Sequence, residues 1–253
     1  MDGAHLVGKD QRGQLAASTG DLQRLPVVET ELLDQLRSIP ETLEGISPQE
    51  LQDRIAKWLG ILTGGQTVEL RALEVSNGYG QPHTENGFYD TEHLSHMAYD
   101  ALELGRCAKG VYFTLNPINN DLLARCFNRC QRTTKGSGAT DNDVVGRRFI
   151  LIDADPNRIE GVSSTDEEKD AAWHKVLAVR QHLLGLGWPQ PYIADSGNGY
   201  HLLYRIDLPA KDDGLIQRVL QALARQFDDD QVKIDQKVFN PARICKLYGT
   251  KAL

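Results

Sequence analysis

The stretch Arg147–Pro156, R-R-F-I-L-I-D-A-D-P, constrains this chain most. Phe149 to Ile152 is an unbroken apolar run with β-branched members, the composition of a central strand covered on both faces; it stops at two carboxylates and a proline that cannot extend a ladder. Side chains alternate along a strand, so Asp153 and Asp155 leave the same face while Ala154 points away, with Cα atoms roughly 6–7 Å apart. Two carboxylates so placed suit hard divalent cations, and a two-metal phosphoryl-transfer centre needs acids that bridge ions about 3.5–4 Å apart. An isolated D-x-D is more often a solvated lead into a turn, so the surroundings must decide.

Composition narrows those surroundings. A chain of 253 residues, 40% hydrophobic, is long enough to bury a true core in one large or two small domains. Its longest apolar runs fall well short of a membrane span and Met1–Asp10 lacks a leader pattern, so the expected location is cytoplasmic. Cys107, Cys126, Cys130 and Cys245 are too scattered for a disulfide framework and read as reduced thiols, ahead of a zinc site. A net charge of −7 argues against a general nucleic-acid coat but leaves room for a local basic groove. Residues 121–148 carry six bases, Arg125, Arg129, Arg132, Lys135, Arg147 and Arg148, against three acids, and residues 236–253 carry four bases and no acid. Either cluster, taken alone, is a solvated surface as readily as a binding one.

In chain order, Met1 to about Leu25 is polar and aperiodic, the pattern of a mobile arm, and Glu29–Ile39 has helical character. Ser47-Pro48-Gln49-Glu50 is a capping box with proline at the first helical position, opening a helix expected to stop at Gly60. Thr67–Val75 alternates as a half-exposed strand, followed by an expected polar loop to Tyr89. Thr91–Leu104 reads as a helix with Leu94, Met97, Ala98, Ala101 and Leu102 on one face; His93 and His96, three apart and without a third ligand, read as surface histidines rather than a metal pair. Gly110–Leu115 is a strand, Asp121–Asn128 a short helix, and Gln131–Gly146 a polar loop containing Lys135-Gly136-Ser137-Gly138, either closing over a ligand or plain surface.

After Asp155, Ser164-Thr165-Asp166-Glu167 is a second capping box, with Trp173, Val176, Leu177, Arg180 and Leu184 marking a helix to Gly185. Pro191–Asp195 and His201–Ile206 are strands around a turn, Leu215–Phe227 is an amphipathic helix, and Val232 and Ile234 alternate with Lys233 and Asp235. Asp228, Asp229 and Asp230 read as a solvated helix-end run. The order is β-α-β-β-α-β, which predicts an α/β (α+β) fold with an RNA-recognition-motif-like, ferredoxin-like sheet, the first and third strands side by side and His201 beside Asp153 and Asp155. In the turn Ser196-Gly197-Asn198-Gly199-Tyr200-His201, Asn-Gly as the loop pair sets Ser196 directly opposite His201. Gly197 and Gly199 then bare backbone N–H groups that can receive phosphate oxygens beside the imidazole. Asp235 offers a third carboxylate from the last strand, and Arg243 and Lys246 offer phosphate clamps.

The motifs I-L-I-D-A-D, S-G-N-G-Y-H and V-K-I-D, in that order and followed by N-P-A-R-I-C-K-L-Y-G-T, resemble the archaeo-eukaryotic primase superfamily, and within it the primase-polymerases of bacteria, plasmids and phages. The resemblance runs from about Val68 to Lys251. It implies a DNA-directed primase/polymerase, a nucleotidyltransferase joining NTPs or dNTPs on a single-stranded DNA template. It further implies two divalent ions, Mg²⁺ or Mn²⁺, held by Asp153, Asp155 and Asp235; triphosphate on Ser196 and His201; and nucleotide or template on Arg243 and Lys246. The chain departs from the commoner R-x-P-G-T ending by reading K-L-Y-G-T, which bears on Lys246. Template is expected along the basic segments, at Lys135, Arg147 and Arg148, with a helicase domain or protein as a further partner. The domain plan is residues 1–60 as arm and helices and 61–253 as the catalytic domain, divided into an α/β unit, 61–146, and the RNA-recognition-motif-like unit, 147–253. The rival readings are a non-catalytic nucleotide or single-stranded nucleic-acid binding module, a plain structural domain, and a rolling-circle nickase, whose histidine pair is missing where Leu202 and Leu203 follow His201.

Overall fold

The structure is a computed structural model that describes residues 19–25, 45–76, 78, 80–134, 136–159 and 161–251. The helix expected at Glu29–Ile39, Lys135 and most of the expected arm lie outside the described residues. Helix α1 (Thr19–Arg24) corrects the arm at its end. Leu22 and Leu25 are buried, Leu22 O accepts from the indole of Trp188 at 2.9 Å, and Asp21 meets Arg218 at 3.4 Å. Two leucines three apart gave too short a period to read.

Helix α2 (Pro48–Thr63) opens on Ser47, whose hydroxyl accepts from Glu50 N at 3.2 Å. It runs past Gly60 because Leu59 and Leu62 continue the buried face; Gly64, at φ +57°, supplies the left-handed cap. Strand β1 (Val68–Val75) pairs antiparallel with β2 (His83–Tyr89), where a loop was expected. H-T-E-N-G-F-Y hides its strand character because the polar Asn86 is buried, its amide donating to Glu69 Oε1 at 2.8 Å. Glu69 is itself fully buried, held by Arg71 Nη2 at 2.6 Å and Ala139 N at 3.0 Å, so β1 is not half-exposed. A short 3₁₀ turn, Thr91–His93, leads into α3 (Leu94–Leu104), and β3 (Gly110–Thr114) returns to β1. The expected helix near Asp121 is a 3₁₀ turn, Asn120–Arg125, and the loop after it includes β4 (Gln131–Arg132) on β2 and a third 3₁₀ turn, Asp141–Asp143.

The second half holds β5 (Arg147–Pro156), α4 (Asp166–Gly185), β6 (Tyr192–Asp195), β7 (Tyr200–Leu208), α5 (Leu215–Phe227) and β8 (Val232–Ile234). The chain then recrosses to the first half as β9 (Ile244–Lys246), antiparallel to β3. Two antiparallel sheets result, ordered β4-β2-β1-β3-β9 and β6-β7-β5-β8. The molecule is mixed α/β, and one continuous core joins residues of both sheets with the helices.

Local corrections follow from register. The box at α4 is Thr165 with Glu168, one residue later than expected, both halves present. The buried face of α4 is Ala172, Val176, Val179 and Leu183, whereas Trp173 and Leu184 lie outside. Asp228 and Asp229 are not merely solvated. Asp228 Oδ1 accepts from Ile234 N at 2.8 Å and Asp229 Oδ1 from Val232 N at 2.8 Å, so they shape the entry to β8. All four cysteines are free thiols, and among the described residues no helix is long and apolar enough to cross a membrane.

Candidate active site

Strand β5 lies between β7 and β8, and this order puts Asp153 in the middle of a polar row. Asp153 pairs across with His201 on one side, and on the other Asp235 N donates to Asp153 O at 2.9 Å. Asp155 pairs with Lys233 of β8. These side chains open into a cleft of ≈ 400 Å³ between the two sheets, whose far wall is Tyr112 of β3 with Arg243 and Lys246 at β9.

His201 is buried and committed on both ring nitrogens: Nε2 lies 3.3 Å from Asp153 Oδ1, and Nδ1 is 2.7 Å from the Tyr248 hydroxyl. Burial works against its charge, but the Asp153 carboxylate outweighs it and holds the imidazolium well above the ordinary histidine range. Cys245 Sγ completes a buried trio, 3.2 Å from Tyr248 Oη and 3.7 Å from His201 Nδ1. Asp153 Oδ1 thus has the imidazolium as its ion-pair partner, in a contact outside ideal hydrogen-bond alignment. The Asp155 carboxyl is pushed up to about 6, by burial first and then by the charge of Asp153 beside it, with Asp235 adding to the effect.

The hairpin corrects the expected register. Ser196 N donates to Gly199 O at 3.0 Å, Asp195 pairs with Tyr200 and Ala194 with His201, so the loop pair is Gly197-Asn198 rather than Asn198-Gly199. Gly197 adopts φ +101°, and glycine at the first loop position is what a type II′ turn requires. Ser196 therefore sits two residues beyond Ala194 and lines the cleft diagonally from His201, not opposite it. Its oxygen accepts from Gly199 N at 3.1 Å, which leaves its own proton to donate. Gly199 is needed for a different reason: a Cβ there would stand 2.3 Å from Ala154 O and 2.9 Å from Asp155 Oδ1. Asn198 anchors the turn to the start of α4 through the Ser164 hydroxyl, which donates to Asn198 O at 2.6 Å.

The basic residues divide. Arg243 lines the cleft with Nη2 3.6 Å from Asp235 Oδ2, and Asp235 Oδ1 also accepts from Lys237 N at 2.8 Å. Lys246 reaches the cleft but is tied back, donating to Thr250 Oγ1 at 3.0 Å and Lys251 O at 2.6 Å; burial pushes its ammonium down to about 8. Arg147 is corrected as a template contact, because its guanidinium is buried and spent on Phe239 O at 2.7 Å, Ala210 O at 3.2 Å and Asp212 at 3.3 Å. Arg148 lies against Gly64 at the end of α2, away from the cleft lining. The position of Lys135 lies outside the described residues.

Sequence reasoning missed Lys109, Arg158, Tyr112 and the pair Cys245–Tyr248. Lys109 and Arg158 line the cleft and the smaller cavity next to it, which Asp155 and Asn198 also line. Arg158 was findable as a base just past the D-A-D-P strand end. The role of Tyr248 depends on β9 crossing to the other sheet, which no local pattern reveals.

The fit to divalent cations is partial. A buried carboxylate oxygen on Asp153 met only by a poorly aligned imidazolium, and a second acid that burial and then Asp153 make easy to protonate, are what an acid pair looks like where a cation belongs. Yet among the described residues no three His, Cys, Asp or Glu side chains converge into a metal-holding group, and Asp235 is turned to Arg243. No family model, curated protein or solved structure matches this chain.

Proposed function

We propose that the chain is a template-directed nucleotidyltransferase of the primase-polymerase type, using NTPs or dNTPs on single-stranded DNA. The observation that carries this reading is Asp153 flanked by His201 and Asp235 on adjacent strands, next to Asp155, in a cleft rimmed by Arg158 and Arg243. The strand order β6-β7-β5-β8, with helices α4 and α5 as connections, supports an RNA-recognition-motif-like sheet beneath it.

In this reading Asp153 and Asp155 hold the cation side of the site, with Asp235 joining them once it releases Arg243. Mg²⁺ or Mn²⁺ bound there would supply Lewis-acid activation of a 3′-hydroxyl and neutralise charge on departing pyrophosphate. The chain's own groups do the rest. Arg158 and Arg243 attract the triphosphate, the Ser196 hydroxyl donates to a phosphate oxygen, and His201 holds Asp153 in place with its positive charge. A phosphate that meets His201 shares Nε2 with Asp153. One observation favours the alternative of a non-catalytic nucleotide or single-strand binding module: the ion pair of Asp235 with Arg243 leaves the acid triad incomplete.

The test is synthesis on single-stranded DNA, with and without an annealed primer, with labelled NTPs or dNTPs and Mg²⁺ or Mn²⁺. Metal-dependent product that disappears in folded Asp153→Ala/Asp155→Ala supports the polymerase reading, and product without primer adds priming. Triphosphate and template binding without product under either metal supports the binding module.

A further inference from the structure

The register of β5 against β7 slips once, at the end away from the acids. Arg147 pairs with Leu208 and Phe149 with Arg205, so Ile206 and Asp207 together stand opposite Arg148. Asn116 fixes the irregularity, its side-chain oxygen accepting from Arg148 N at 2.9 Å and from Phe149 N at 3.3 Å. A bulge re-aims the side chains around it, and here the Arg148 guanidinium comes to rest on the end of α2. A Cβ on Gly64 would stand 2.1 Å from Arg148 Cζ and 2.1 and 2.2 Å from its two terminal nitrogens, so the planar group lies flat on the bare Cα.

Arg205 follows His201 by four residues on β7 and shares its face, about 13 Å along the strand. Tyr192 lies on that face too, because it pairs with Leu203 between them. Its ring packs against Phe149, at 6.1 Å, and Trp58 of α2, at 5.8 Å, while its hydroxyl has no hydrogen-bond partner among the described residues. None of Arg148, Arg205 and Tyr192 lines the acidic cleft. Charge at this end is unbalanced. Arg147 next door is matched by Asp212, but among the described residues neither Arg148 nor Arg205 has a carboxylate within ion-pair distance or a side-chain hydrogen bond. Asp207, across the bulge, pairs with neither, and Asp121 is turned to the Asn119 amide at 3.3 Å. Burial first, and then the charge of Arg205, pull Arg148 below the ordinary arginine range, so the two guanidiniums are close enough to repel. Arg148 Nε and the Thr63 hydroxyl, next to Gly64, are buried without a partner. The carbonyl end of α2 accounts for one cation and not for two.

Two guanidiniums without a counter-ion and a phenol without a partner match a tetrahedral oxyanion that carries more than one charge, since each fork meets two oxygens and the hydroxyl another. A lone carboxylate offers this set one charge and two oxygens, and a metal cation is repelled by it. We propose that Arg148, Arg205 and Tyr192 form a binding site for a phosphate group, on the same sheet face as the acidic cleft but at its opposite end. The phosphate belongs either to a nucleic-acid backbone or to free phosphate and nucleotides, which present the same oxygens. The site stands apart from the proposed synthesis and draws on none of its residues.

The experiment follows the melting temperature of the full chain in EDTA as inorganic phosphate replaces chloride at constant ionic strength. Phosphate is expected to raise the melting temperature of wild type, to do so still in the cleft variant Arg158→Ala/Arg243→Ala, and to leave Arg205→Gln unmoved. Without phosphate, Arg205→Gln is expected to melt at or above wild type, because the repulsion between the guanidiniums is relieved; an arginine with a purely structural role would do the opposite. A second readout uses the wild type itself: the ¹⁵N resonance of Arg148 Nε, assigned by its loss in Arg148→Lys, is expected to shift as phosphate is added. Equal phosphate effects in wild type and Arg205→Gln, or no effect of millimolar phosphate on the melting or the Nε resonance of wild type, overturn the site. A phosphate effect lost in the cleft variant and kept in Arg205→Gln overturns it as well. Anisotropy of a labelled oligo-dT over a salt series then separates the two sources. A salt slope lowered by about 1 in Arg205→Gln assigns the phosphate to a nucleic-acid backbone, and an unchanged slope beside a lost phosphate effect assigns it to free phosphate or nucleotide.

Discussion

Asp155 is placed where folding and a cation want opposite things. Its carboxyl is pushed up to about 6 by burial and by Asp153, so the folded chain holds this proton more tightly than the unfolded chain does. Stability therefore falls as pH rises from about 4 through about 6 and stays lowered above. The difference between those two values is worth at most about 3 kcal/mol, and partial exposure reduces it to about 1–2 kcal/mol. Asp155→Asn should thus raise the melting temperature of metal-free protein at pH 7 and flatten its rise between pH 6 and 4. Mn²⁺ should raise the melting temperature of wild type and not of the variant; equal metal shifts in both would show that Asp155 is not a ligand. Tyr248 acts at one remove. Its hydroxyl is the partner of His201 Nδ1, so Tyr248→Phe should lower synthesis several-fold through kcat, with nucleotide KM nearly constant, and should alter the ¹⁵N shifts of the His201 ring. Unchanged ring shifts would reduce Tyr248 to packing. Asp153, Asp155, Asp235 and His201 were legible as a group because each follows or opens an apolar run, although β5 does not stop at the carboxylates but continues through Pro156, which pairs with Val232; the trio with Cys245 and Tyr248 was not, because its members come from different sheets.

At the level of elements, the hairpin shows where reading stops. S-G-N-G contains two dipeptides that can both form a two-residue loop, and local pattern alone favours Asn-Gly. Tertiary packing selects the other: Gly199 is pressed against β5, where its missing Cβ leaves room for Ala154 O, and so it belongs to the strand while Gly197 takes the turn. Gly199→Ala should cost about 1–3 kcal/mol and push β7 off β5, whereas Gly197→Ala strains only the turn. A chemical-denaturation series showing Gly199→Ala as stable as wild type would refute that close approach. Strand β2 escaped reading for a related reason. The polar residue it buries, Asn86, is held by Glu69 of β1 and the Ser137 carbonyl rather than by apolar neighbours, and hydropathy does not register a buried amide that its neighbours satisfy.

Over the whole molecule, the last strand ties the two halves together. β9 leaves the second sheet's unit, pairs with β3, and brings Cys245 beside His201. Phe113 of β3 and Leu151 of β5 lie in the same core, as do Leu22 of α1 and Leu220 of α5. Two units that share a core cannot lose one without exposing the other, so the described body should melt as one unit despite having two sheets. Calorimetry should give equal calorimetric and van't Hoff enthalpies, and truncation before Asn240 should abolish that transition rather than leave the first sheet folded, because β3 would lose its edge partner and the cleft its far wall. Two separable transitions in the intact chain would mean that β9 docks on a preformed sheet. In that case the cleft opens and closes with β9, and Arg243 is the residue that moves with it, releasing Asp235 toward Asp153.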